Sequence, residues 1–545
     1  MIRGLRLGVI MALMLVGAGV DAIDLWRPID GSSRELYREC DESGIARNYA
    51  QGGMHFFSPQ IDWRGDGPGY VEMEFPLYPY MIAMGYRVFG FHEQIGRVIS
   101  YALSLLTLLV FIGLASYVLP PPGAIVASLY FALNPLVVRI SNAIQAEPLM
   151  LFAYVAAAYA YIRWLDDDGW LSYGLALGFT SLAILAKAPA VHLGFVFVFL
   201  TIWRQGWPAF RRARLWIFAV AALIPPALWY VHAHRFYLTY GNSLGASNHH
   251  HVAGLATFTH LHYIAGISDL EVSYAWVGTG IVAVVVALAM GPRRKYFGYG
   301  LLWYAAVFLY YLVIAGTSAD PWGTYYHIVS IPPASLLIGG AAAVAVDHLR
   351  APAPFSRPMG VLITTLIAIA IVQLIHPGAS LMPIIGAAIA AGGIMAWRRA
   401  PEAAATAGLV VLTAFAPVLA ARQDHRDIHP HRYTDWYATA RQFAPLIPPG
   451  VTIAVSGNYC VSPTESAYNS PWYLYWTDHK GFTPCIQDHT MPVVRSLMAR
   501  GAEYFIVERT ALAARPGFED EMRRTFPVVS ETPVAILFRL RSLRS

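Results

Sequence analysis

Charge is scarce in this sequence. Only 13% of its 545 residues are Asp, Glu, Lys or Arg, while 57% are hydrophobic. A soluble domain carries about a quarter charged residues, so a water-soluble globular chain is excluded and a polytopic helical membrane protein is expected. The net charge of +5 is small for this length. No basic tract or nucleic-acid fingerprint interrupts the chain, which argues against a nucleic-acid partner. No internal repeat is visible either, whereas transporters are commonly built from repeats with charges at mid-membrane. Cysteine is rare too, with three in all.

What the chain has in quantity is apolar runs of spanning length. With windows of about 17–22 residues, the first falls in residues 7–20, behind Arg3 and Arg6. It is either a cleaved signal peptide, with Val20-Asp21-Ala22 as a weak cleavage site, or a retained signal anchor, which the many later spans favour. Twelve further spans are placed at 98–118, 123–140, 148–165, 170–186, 188–203, 215–231, 273–290, 299–316, 328–346, 359–376, 381–397 and 404–421. Basic clusters test this parity independently. Arg3 and Arg6, Arg204 to Arg214, Arg293 to Lys295, Arg350 and Arg357, and Arg398 and Arg399 all fall on one side, as the positive-inside rule requires. Three polar regions then face the other, external side: 23–95, 232–274 and everything after Arg422.

The last region reads as a small mixed α/β domain, 422–545, after a membrane domain of 1–421. Val451–Ser456, Glu503–Val507 and Val534–Leu540 alternate like strands, and Phe518–Thr525 is charged and helical in pattern. Cys40, Cys460 and Cys485 all lie on the external side. An oxidising compartment allows a Cys460–Cys485 bridge, with two buried thiols as the alternative.

The first external region carries the chemistry. Cys40-Asp41-Glu42-Ser43-Gly44-Ile45-Ala46-Arg47-Asn48-Tyr49 is followed by Glu72-Met73-Glu74-Phe75-Pro76-Leu77-Tyr78-Pro79-Tyr80, Phe89-Gly90 and Gly96-Arg97. Adjacent carboxylates at an apolar surface suit a general base and an orienting group, since burial raises a carboxyl pKa toward working pH. The competing role is structural: Asp41 or Ser43 would cap a short helix over 44–51.

In order and content these motifs resemble the polyprenyl-phosphate-sugar-dependent glycosyltransferases of the GT-C fold. The specific relatives are the bacterial protein-mannosyltransferase and aminoarabinose-transferase group, of family 39 and family 83 type. The resemblance runs over the whole chain and is most specific in its first hundred residues. It implies an all-α polytopic membrane fold of about thirteen spans with an external α/β domain, in the bacterial inner membrane. It also implies inverting transfer of a sugar from a polyprenyl-phosphate donor to the hydroxyl of an external lipid, glycan or protein. Asp41 matches the catalytic aspartate that deprotonates the acceptor, and Glu42 is its neighbour. Lys187, in Leu185-Ala186-Lys187-Ala188-Pro189, matches a lysine that contacts the lipid phosphate; otherwise it snorkels from a helix end. Arg97 and Arg139 stand at external helix ends, for a phosphate contact or for pairing with Glu93 or Glu147. Glu74 matches an acidic position of the second motif, and Tyr325-Tyr326-His327 resembles a motif lining the donor cavity. Glu147 faces donor or metal in such enzymes; its other role is to open a helix with Pro148. One departure is clear. Many aminoarabinose transferases have a basic residue where this chain has Phe75, so one phosphate contact is missing or supplied elsewhere.

Histidines crowd the second external region. Its His-x-His pairs and His triplet offer a divalent-metal reading, with Glu74, His249, His251 and His260 as ligands, although no ligand spacing is diagnostic. Solvated loop histidines are the alternative. A transporter or flippase of lipid-linked saccharides is the other function class, but here the charges gather at span ends.

Overall fold

The computed structural model describes residues 5–245, 251–290, 294–350, 401–427, 433–458 and 470–540. Among them, six helices are long and apolar enough to cross a membrane, or eight if each of two bent pairs is one span. Three shorter apolar helices, Leu7–Asp21, Trp170–Ala186 and Thr406–Ala421, coincide with expected spans. The spans expected at 359–376 and 381–397 lie outside the described residues.

Two expected straight spans are broken. The 123–140 span is Pro121–Ala132 followed by Pro135–Asn142, bent by 52°. Pro135 cannot continue the first helix, and the Asn134 side chain accepts from the Leu136 N–H to cap the second. The 273–290 span is Leu261–Ala275 joined to Thr279–Met290 at 89°. Val277 and Gly278 both take positive φ, 46° and 65°, and two such residues in a row end a right-handed helix. In contrast, the 215–231 span extends as one helix, Ala213–Tyr240, until Gly241 turns it with φ 75°.

Region 23–95, expected on the external side, is folded. It forms a helix over Leu36–Gln51, a loop, and a second helix over Leu77–Phe89. Arg97, at the start of the Gln94–Val118 helix, clamps this region to the membrane helices. Its guanidinium donates to Glu39 at 2.8 Å and to the carbonyls of Arg27 and Asn142 at 2.7 and 2.6 Å. Arg97 and Glu39 are 3% and 0% exposed. Removing one partner of such a pair strands the other charge in a dry site. Arg97→Ala is therefore expected to cost about 3–5 kcal/mol, read as a lower melting temperature in detergent; an unchanged melting temperature would contradict the clamp.

The C-terminal part folds around a five-stranded sheet, ordered β2-β1-β3-β5-β4. The strands are β1 Thr452–Val455, β2 Lys480–Phe482, β3 Ala502–Glu508, β4 Val528–Glu531 and β5 Ala535–Arg539. β1 pairs in parallel with β2 and β3, while β5 is antiparallel to β3 and β4. β1, β3, β5 and the Phe518–Thr525 helix fall where the pattern predicts. The three-residue β2 and the exposed edge β4 were too weakly patterned to foresee. The sheet is tied to the first external region: Gly481 N–H donates to Asp62 O at 3.0 Å, and Gly65 N–H donates to Gly481 O at 2.8 Å. Cys40 is a free, buried thiol and Cys485 is disulfide-bonded; Cys460 lies outside the described residues.

Candidate active site

The helix carrying Asp41 and Glu42 starts at Leu36, not near Gly44. Both carboxylates therefore sit in its second turn, and neither can cap it. They are buried, at 4% and 2% exposure. The Trp63 indole N–H donates to Asp41 Oδ1 at 2.9 Å, while Asp41 Oδ2 and Glu42 Oε2 are left without a hydrogen-bond partner among the described residues. Burial pushes the Asp41 carboxyl up to about 7, against the Trp63 hydrogen bond and the positive charge of Arg38. Glu42 is pushed up to about 8 by burial first and then by the nearby Glu74 charge. Such a carboxyl exchanges its proton near neutral pH, as a general base must.

One turn earlier, Arg34, Tyr37 and Arg38 open onto a cavity of about 1170 Å³. At i−4 and i−3 from Asp41, Tyr37 and Arg38 share a face with the carboxylates. Arg38 stands 3.9 Å from Glu74, whose Oε2 has no hydrogen-bond partner among the described residues. The backbone explains how Glu74 reaches this place. Phe75 N–H donates to Leu185 O at 3.0 Å, and Trp229 Nε1–H donates to Met73 O at 3.1 Å. The second motif is thereby strapped to the end of the Trp170–Ala186 helix and to the middle of the Ala213–Tyr240 helix. Phe75 itself packs edge-on against Phe56 and Trp229, with centroids 5.1 and 5.3 Å away.

Lys187 lies on the same cavity. Pro189 stops the Trp170–Ala186 helix, so Lys187 takes extended backbone between that helix and a short 3₁₀ turn. Its ammonium is paired with Glu147 and lies 4.6 and 5.0 Å from the ring centroids of Tyr325 and Tyr326. Glu147 thus opens its helix with Pro148 and also holds a cation. Glu35, also on the cavity wall, pairs with Arg139 at 3.2 Å. The remaining lining becomes apolar, with Val191, Val231, Leu238, Ile314 and Trp322. The cavity is amphipathic: Arg34, Arg38, Lys187 and Arg235 line it with Glu35, Glu72 and Glu74, beside a large apolar surface.

Several expected residues lie elsewhere. Arg97 belongs to the Glu39 clamp rather than the cavity wall. His327 is fully buried, bonded through Nδ1 to Glu271 at 2.5 Å and through Nε2 to Ser318 O at 2.9 Å. His251 reaches the cavity, bonded to Thr317 Oγ1 at 2.6 Å and to Gly245 O at 2.9 Å, while His260 is exposed. His249 lies outside the described residues. Among those described, no group of three or more His, Cys, Asp or Glu is placed to hold a metal. Sequence reasoning missed Arg38, Tyr37 and Glu35, because it began the helix eight residues late; for Arg38 and Tyr37 the i−3 and i−4 spacing from Asp41 was the available signal. It also missed Glu72, which accepts from Ser243 Oγ at 2.6 Å and meets His234 Nδ1 at 2.8 Å, tying the first external region to the second.

A membrane-helix assembly with an external helical loop, an amphipathic cavity and a small mixed sheet is the architecture of the GT-C glycosyltransferases. A family model described as dolichyl-phosphate-mannose-protein mannosyltransferase matches residues 68–231. Among solved structures, ArnT from Cupriavidus metallidurans bound to undecaprenyl phosphate is similar over 98% of both chains, with TM-score 0.55 and 15% identity. The archaeal oligosaccharyltransferase AglB from Archaeoglobus fulgidus, in complex with an inhibitory peptide and a dolichol-phosphate, is similar over 92% of this chain and 69% of its own, with TM-score 0.50 and 12% identity. No curated protein matches in sequence. These likenesses show the fold, that of the GT-C glycosyltransferases, and the family model matches within it.

Proposed function

We propose that this chain is an inverting glycosyltransferase that moves a sugar from a polyprenyl phosphate to an external acceptor hydroxyl, with Asp41 as general base. The observation that carries this reading is Asp41 itself. It is a buried carboxyl with one unpartnered oxygen and a pKa raised to about 7, one helical turn from Arg38 on the wall of an amphipathic cavity. In the proposed reaction the acceptor oxygen attacks the anomeric carbon as its proton passes to Asp41 Oδ2. The bond from that carbon to the phosphate oxygen breaks with its electron pair on the phosphate, giving inversion. Arg38 and Lys187 stabilise the departing phosphate, Tyr325 and Tyr326 flank the sugar, and the apolar end of the cavity takes the prenyl tail. Arg38 is then the cation that replaces a basic residue at Phe75. Glu42 and Glu74 orient the acceptor side.

On this reading the membrane domain is 1–421 and the external domain 422–545, with 23–95 and 232–274 on the external face of a plasma or inner membrane. The acceptor is an envelope glycan, a lipid or a protein.

The test is turnover of several polyprenyl-phosphate sugars by reconstituted protein with a membrane extract as acceptor, followed by mass spectrometry. Free polyprenyl phosphate appearing with a glycosylated product is expected. A raised carboxyl pKa leaves Asp41 protonated below about 7 and ionised above it. The rate is thus expected to climb with pH through about 7. A donor that is bound but never consumed would favour the transporter reading, and a rate flat from pH 5 to 8 would remove Asp41 as base.

A further inference from the structure

We propose that a second cavity, between the first external region and the C-terminal part, binds an anionic saccharide. It encloses about 550 Å³, within the range of small-molecule sites. One wall is the far side of the Leu36–Gln51 helix, including Arg47. Arg47 comes nine residues after Arg38, and at 3.6 residues per turn that places it about 180° round the helix. The helix therefore separates this cavity from the first, and none of its lining residues takes part in the proposed transfer. Arg87 and Phe91 form a second wall, and Tyr437, Arg441 and Trp476 a third.

The charges in this cavity leave it cationic. Its two acids are already engaged. Glu93 accepts from Tyr475 OH at 3.0 Å and from Ile29 N–H at 2.9 Å, while Asp478 pairs with Arg47 at 2.9 Å. Two cations stay available. Among the described residues, exposed Arg87 donates only to the Ala50 carbonyl, at 3.2 Å, and exposed Arg441 has no ion pair. A third cation is already desolvated: Arg47 is 6% exposed, and its Nε has no hydrogen-bond partner among the described residues. That N–H is enclosed by the protein, so Arg47 contributes its charge to this wall rather than a direct contact. Guanidinium groups match phosphate and carboxylate geometry.

The aromatic groups point to a saccharide. Trp476 is pinned by its indole N–H to Ile29 O at 2.7 Å and meets Tyr437 edge-on at 5.4 Å. Phe91 is 49% exposed at the opening. Rigid rings with a polar edge suit the apolar C–H face of a pyranose beside its hydroxyls. Next to this opening, Val88 and Phe89 are 73% and 72% exposed. The same chemistry could therefore come from a soluble glycan or from the head group of a glycolipid whose tail covers those two residues.

The test is equilibrium binding to the full-length protein in zwitterionic nanodiscs, which requires no turnover and so stands or fails apart from the proposed reaction. The probes are methyl glucoside 6-phosphate, neutral methyl glucoside, and dodecyl glucoside 6-phosphate. Saturable binding of the phosphorylated methyl probe is expected, at least about tenfold tighter than the neutral one. Arg87→Ala with Arg441→Ala is expected to weaken it by about tenfold or more, as loss of a charge-assisted hydrogen bond does, Phe91→Ala by about fivefold, and Arg38→Ala not at all. Tighter binding of the dodecyl probe that is lost in Val88→Ser would identify a glycolipid head group; equal binding of both would identify a soluble glycan. Full binding by the double arginine variant, loss of binding in Arg38→Ala, or no saturable binding by wild type would each overturn the proposal.

Discussion

Asp41→Asn is expected to lower transfer by about a hundredfold to ten-thousandfold, the usual worth of a positioned general base, while leaving the fold at least as stable. The two parts follow from one geometry. Asparagine keeps a carbonyl-type oxygen for the Trp63 indole N–H, now 2.9 Å from Asp41 Oδ1, so the local packing survives. It cannot accept the acceptor's proton. The stability effect has a sign that depends on pH. Because burial raises the Asp41 pKa from 3.8 to about 7, folding favours the protonated form. The cost of ionising Asp41 in the folded protein is absent below about pH 4 and fully present above about pH 7. The variant should therefore melt like wild type in acid and no lower than wild type at pH 8. Melting curves at pH 4 and 8, alongside turnover from pH 5 to 8, separate the roles. A variant that turns over normally removes Asp41 as the base; one that is inactive and melts much lower at pH 8 would make it a structural residue. Glu42→Gln, with its own raised carboxyl, is a useful companion because its loss should fall mainly on acceptor KM.

Much of this arrangement was legible in the residues because membrane helices announce themselves by composition. The apolar windows found the described spans, since lipid forces every backbone group into a helix, but not all their ends: 215–231 stops nine residues short of Tyr240, and 273–290 starts twelve residues after Leu261. The breaks were less legible. Pro135 was a visible signal for one bend, but Val277 in left-handed backbone is disfavoured by its own side chain and owes its conformation to its surroundings. At the site, Lys187 could be singled out as an isolated charge in apolar company, and Asp41 and Glu74 by the motifs that carry the family resemblance. Their partners could not, because Arg97 finds Glu39 and Lys187 finds Glu147 across tens of residues of chain. The late helix start hid Arg38. Along Leu36–Gln51 charged and apolar residues alternate without a stripe at helical spacing, so nothing periodic marks where the helix begins. Such a stripe serves a helix with one face in water. This one is buried along most of its length, from Leu36 to Tyr49, and needs none.

The Lys187–Glu147 pair allows the charge that serves the donor to be separated from the charge that serves the fold. Both side chains are nearly dry, at 4% and 1% exposure. Two opposite charges removed from water together are tolerable, whereas one alone is not. Lys187→Met alone should then destabilise the protein by about 3–5 kcal/mol, because Glu147 stays buried with its cation gone. Lys187→Met combined with Glu147→Leu should recover most of that loss, as apolar replacement of a buried pair is often neutral. Turnover should not recover. If Lys187 stabilises the departing phosphate beside Arg38, the double variant should fold normally and turn over at least about a hundredfold more slowly, the loss expected for one electrostatic stabiliser of developing charge. The cation–π contacts to Tyr325 and Tyr326 sharpen the result, since they disappear in both variants and cannot account for any difference between them. A double variant as active as wild type would show that the lysine neutralises Glu147 and does nothing for the donor. Single and double variants equally unstable would show instead that the tyrosine contacts, rather than the ion pair, hold this end of the cavity together.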